Sequence, residues 1–183
     1  MNGGVSIMSE LRTNRIIPRD GLTSGTGVGG GVIQVKSTTK TDTFVTTSTS
    51  FVDITGLSVT ITPTRSDSKI LVTYHTNAAM EDDGYRAGLR LMRDSTAIFV
   101  GDSAGSRIQL SNHLVEATGT QQQFSYSGQH MDAPATTSSV TYKLQAISLD
   151  SGRQININRS YGDGNDALNG RTASSITVME ISG

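Results

Sequence analysis

Leu57-Ser58-Val59-Thr60-Ile61-Thr62-Pro63 sets an apolar side chain against a hydroxyl at every step, then stops at proline. Successive side chains of an extended strand point to opposite faces, so a period of two marks a strand with one buried and one wet face. Pro63 lacks the N–H a sheet ladder needs and ends the run. The alternation returns downstream. Ile70, Val72 and Tyr74 alternate with Leu71, Thr73 and His75, and Ala87, Leu89 and Leu91 with Gly88, Arg90 and Met92. Ile98 and Val100 follow a turn at Asp94-Ser95. Val140, Tyr142, Leu144 and Ala146 alternate with Thr141, Lys143, Gln145 and Ile147, and Ile155 and Ile157 with Gln154, Asn156 and Asn158. Ser175 to Ile181 is the last strand. Val32–Lys36, Thr43–Thr47, Phe51–Thr55 and Gln122–Met131 bring the total to roughly ten. Leu110 to Thr118 has room for one short helical turn, against which its β-branched residues and Gly119 weigh.

Connections this short exclude the long crossovers of parallel sheets. The reading is therefore all-β: an antiparallel β-sandwich of jelly-roll type over residues 32–183. Hydrophobic residues make up 34% of the 183-residue chain and Thr and Ser are abundant, which fits a thin two-sheet core. There is no cysteine, so stability rests on packing or oligomerisation. Sheet edges and half-apolar faces, marked by Leu71, Met92, Phe99 and Ile147, need cover that homo-oligomerisation would supply. The net charge of −1 gives no basic face for nucleic acid and no polybasic membrane signal. No apolar run approaches the ~20 residues of a membrane span, and the N-terminus lacks the basic-then-apolar order expected of a signal peptide.

The first twenty residues read differently. Met8-Ser9-Glu10 resembles a second start, which would make residues 1–7 dispensable. Leu11, Ile16 and Ile17 are too few apolar groups for a core, and Pro18 with Asp20-Gly21 stops any regular element. Residues 1–20 are expected to order only against another protein, with Leu11, Ile16 and Ile17 as apolar anchors, Arg12 and Arg15 as polar contacts, and Pro18 closing the segment. Residues 21–31, GLTSGTGVGGG, form a Gly-rich linker. Gly25, Gly27 and Gly30 nearly spell a nucleotide-loop pattern, but no strong strand precedes it and no helix follows.

No catalytic constellation stands out. His75, His113 and His130 fall in separate segments without ligand spacing, although one histidine per chain at a three-fold axis is a metal arrangement to consider. Glu81, Asp82 and Asp83, or Asp163 and Asp166, are the candidates for paired carboxylates in glycoside cleavage; both groups sit beside glycines and read as solvated turns. Asp163, Asn165 and Asp166 offer calcium-type oxygens but lack the EF-hand pattern. Tyr85, Tyr126 and Tyr161 are the best available sugar-stacking rings, with core packing the commoner role for tyrosine. No cofactor is expected.

Several stretches carry a family likeness. They are Ser9-Glu10-Leu11-Arg12 through Ile17-Pro18-Arg19-Asp20-Gly21, Thr41-Asp42-Thr43-Phe44, Ser50 to Leu57, and Ser68-Lys69-Ile70-Leu71-Val72. Later come Arg93-Asp94-Ser95-Thr96, Asp132-Ala133-Pro134-Ala135-Thr136-Thr137, Thr141-Tyr142-Lys143-Leu144-Gln145 and Ala173 to Ile181. Together they resemble the tail-fibre-like virion structural proteins of marine tailed phages, cyanophages especially. The resemblance implies a non-enzymatic virion component assembled in the host cytoplasm. It implies a homotrimeric jelly-roll head, similar in outline to tumour-necrosis-factor or C1q heads, docked on other virion proteins through its N-terminal segment. A tail or neck appendage touching the host surface is the first expectation. A capsid decoration protein, a module binding host polysaccharide, and a hydrolase using Glu81 or Asp163 are the rivals.

Overall fold

The computed structural model describes residues 31–80, 85–115 and 119–182. The anchor, the linker up to residue 30 and the run Glu81-Asp82-Asp83 lie outside the described residues. Eleven strands and no helix occur among the described residues: β1 (Val32–Lys40), β2 (Phe44–Thr46), β3 (Val52–Ile61), β4 (Lys69–Met80), β5 (Ala87–Arg93), β6 (Thr96–Ile98), β7 (Asn112–Leu114), β8 (Phe124–Asp132), β9 (Val140–Ser148), β10 (Ile155–Ile157) and β11 (Ser174–Ile181). All pairings are antiparallel.

The register resolves these strands into two sheets. Ile70 to His75 of β4 pair with β11 on one edge and β8 on the other, and Ala78 pairs with both Ile157 of β10 and Phe124 of β8. β10 and β11 therefore share one edge of β4, and β2 and β1 continue the sheet beyond them. The first sheet runs β1/β2, β11/β10, β4, β8. By the same reasoning the second runs β3, β9, β5, β6/β7. Strands distant in sequence are neighbours within each sheet, and consecutive long strands pass from one sheet to the other, as a jelly roll requires.

The alternating positions supply the core. Ile70, Val72 and Tyr74 of β4 and Ile176 and Val178 of β11 face Leu57, Val59, Leu89, Leu91, Tyr142 and Leu144 of the second sheet, all buried. Two buried polar devices pin the sheets. Asp132 of β8 accepts both Arg93 Nη1 and the Tyr142 hydroxyl, 2.7 Å away, from the facing sheet. Asn158 sits in the left-handed region (φ 61), which asparagine tolerates. Its Nδ2 donates to the carbonyls of Lys40 and Asp42, and its Oδ1 accepts from Ser174, whose hydroxyl also bonds Thr76. That clasp holds together the β1–β2 joint, β4, and the start of β11.

Three details differ from the sequence expectations. Phe51–Thr55 and Leu57–Thr62 are one strand, bent where the register slips between Asp53 and Ser58 and Gly56 takes φ +81, open to glycine without strain. Leu110 to Thr118 contains no helical turn among its described residues; Asn112–Leu114 is β7, drawn into the sheet by the exposed edge of β5. Met92 and Ile147 need no partner molecule, each being only 4% exposed within the chain. Phe99 remains 39% exposed and Leu71 half-buried.

Candidate interaction surface

Each sheet turns one face to the core and one outward, and the two outward faces differ in chemistry. On the second sheet, Asp53 accepts Lys143 Nζ at 2.7 Å and Gln145 Nε2 at 2.7 Å. Arg90 donates to Gln145 and lies 3.6 Å over the Phe51 ring. This face is charged and internally satisfied. The loop between β6 and β7 also folds onto it: a Cβ on Gly88 would come within 2.3 Å of Leu110 Cδ2, so glycine is what lets Leu110 seat there. Ser111 N donates to Leu89 O and Gly101 N to Leu110 O, closing the loop. Between this loop, His113 and Leu149 lies an open cleft of about 450 Å³, with Ile108 and Leu110 beside Asp102, Arg107 and Gln109.

The outward face of the first sheet is different. β4 presents Leu71, Thr73, His75 and Asn77, and β11 presents Ser175, Thr177 and Met179. Register places Val35, Ser37 and Thr39 of β1 beside them on one flank, and Ser125, Ser127, Gln129 and Met131 of β8 on the other. None of these is Lys, Arg, Asp or Glu, although such residues make up 17% of the chain; the exposed Lys69, in phase with Leu71, stands at the end of β4. All are exposed or half-buried. The register also lines up Met131, Leu71, Met179 and Val35 as one apolar row across all four strands. Met131 is 49% and Val35 51% exposed. Charge depletion around an apolar centre is the compositional mark of an interface core. A sheet face with so few gatekeeper charges is one that natural proteins cover.

Of the described residues nominated as sites from the sequence, His75 lies on this face and the others fall elsewhere. Asp163 takes Arg159 Nη1 on one carboxylate oxygen and Arg171 Nη2, at 2.6 Å, on the other. Asp166 takes the N–H of Leu168 and the amide of Asn169. Those carboxylates fasten the loop after β10, and Asn165 is exposed on the same loop. Among the described residues, no group of three or more His, Cys, Asp or Glu could hold a metal ion. Tyr85 packs against the core with Arg153 3.7 Å above its ring, and Tyr126 packs on the core from β8. Tyr161 is half-buried in the loop after β10. None of the three lines the cleft. His75 is exposed on the neutral face, His113 is exposed on β7, and His130 lies 5.6 Å from the Phe99 ring. The neutral face escapes sequence reading because it exists only once four strands are in register. The signal that was available is the hydroxyl-rich alternate position of each strand.

No protein-family model matches the chain, and no curated protein matches it in sequence. No helix among the described residues is long and apolar enough to cross a membrane.

Proposed function

We propose that this chain is a non-enzymatic structural component of a tailed-phage virion. Residues 32–183 form a homotrimeric head, and Glu10 to Pro18 dock it on a neighbouring virion protein of the tail or neck. The observation that carries the reading is the charge-poor outer face of the first sheet, with Lys69 only at its end, crossed by the Val35–Met179–Leu71–Met131 row. Such a face suits burial against copies of itself, since little charge is stranded. The family likeness of the N-terminal and strand sequences supports the virion setting. For host contact, the cleft beside Ile108 and Arg107 offers apolar and hydrogen-bonding groups together.

Quantitative densitometry of purified virions tests the particle role. A tail or neck appendage predicts tens of copies or fewer per particle. Hundreds would make the chain a capsid decoration protein, and absence from the particle would overturn the proposal. Deleting Glu10 to Pro18 is expected to leave a folded head that no longer joins the particle.

A further inference from the structure

We propose that His75 makes this assembly proton-sensitive, so that acidification separates the heads into folded single chains. The inference rests on the neutral face being the contact between copies.

His75 is the one titratable side chain among the outward positions just described. It points away from the core on β4 and is exposed. Register sets Ser127 of β8 on one side of it and Ser175 of β11 on the other, with Thr39 of β1 beyond. Along its own strand lie Thr73 and Asn77, and the Asn77 amide nitrogen is 3.3 Å from His75 Nε2. The next positions outward are Gln129, Ser125 and Thr177. None of these groups titrates or carries charge. Arg171, upstream of Ser175 in the chain, is committed to Asp163. Lys69 stands at the far end of β4, opposite Ile181.

A neutral imidazole fits such a surface, because hydroxyls and amides answer its one donor and one acceptor. An imidazolium does not. In the single chain water solvates it, but closing copies on this face removes that water, and the positions around it on the face hold no carboxylate to replace it. Cyclic symmetry also puts the same residue of every copy into the contact, so charging it adds net positive charge to every interface at once. The separated chain therefore binds the proton more tightly than the assembly does. Linkage then requires the association constant to fall as the solution is acidified. With one of the chain's three histidines on the contact face, the limiting fall is about tenfold per pH unit per chain, or about a thousandfold per unit for a trimer.

The test is sedimentation equilibrium of the full chain from pH 8 to pH 5, with near-ultraviolet circular dichroism to follow the fold. The expected result is trimer at pH 8 and folded monomer near pH 5. H75Q, at an exposed position, is expected to stay trimeric throughout, while a double H113Q/H130Q variant keeps the wild-type response. A wild-type association constant unchanged down to pH 5 overturns the inference and leaves the assembly standing. So does an H75Q chain that dissociates as the wild type does. A wild type already monomeric at pH 8 removes the assembly itself.

Discussion

Glu180 is completely buried on β11, at the seam where β1 meets the loop after β3. Gln34 Nε2 donates to it at 2.6 Å, and the Thr64 N–H and hydroxyl at 2.7 and 2.8 Å. Burial pushes its carboxyl up, but these donors outweigh burial and hold it at about 2, below the ordinary 4.5. A depressed carboxylate stabilises the fold fully above the unfolded value and loses that contribution as pH falls from 4.5 toward 2. The ceiling is about 3 kcal/mol. Urea midpoints at pH 7 and at pH 2.5 check it: E180Q is expected to be less stable than wild type at pH 7, with the gap closing at pH 2.5. Asn158 makes a second residue-scale case. N158A loses the clasp and forces alanine into φ +61, whereas N158G loses only the hydrogen bonds. Both are expected to lower the urea midpoint, by about 2–4 kcal/mol in stability, with alanine the worse. Neither residue announces itself in the sequence, because the carbonyls that Asn158 reaches and the donors around Glu180 lie more than a hundred positions away.

At the scale of strands, alternation was legible wherever one face is buried and the other wet. β3, β4, β9 and β11 follow that rule, so Val59, Val72, Leu144 and Val178 declare themselves. The rule falls silent for β7, which is three residues long, too short to show a period. It also hides Gly56, since a bulge interrupts the alternation and makes one strand look like two. Two glycines give element-scale predictions. A Cβ on Gly128 of β8 would stand 2.5 Å from the Tyr74 ring, which is buried and bonded to Asn112. G128A is expected to cost about 1–3 kcal/mol, read as a lower melting temperature. A Cβ on Gly88 would meet Leu110 instead, a side chain of the surface loop between β6 and β7 rather than of the core. G88A is therefore expected to leave the sandwich standing and to speed hydrogen exchange at Gly101 and Ser111, whose N–H groups close that loop.

At the scale of the molecule, the sandwich class could be read from patterning, but the order of strands within each sheet could not. Order depends on which distant strands share an edge, and that alone decides which hydroxyl-rich positions collect on one surface. Once Val35, Met179, Leu71 and Met131 are in register, the two outer faces separate into one tied by Asp53, Lys143 and Arg90 and one poor in charge. The most direct measurement is the solution mass, at pH 8, of the full chain and of two variants. The wild type is expected at three times the 19.3 kDa chain mass. A chain carrying both L71K and M179K is expected to run as a folded monomer, while T60K, exposed on the other sheet, stays trimeric. A monomeric wild type, or a doubly substituted chain that remains trimeric, would contradict the account.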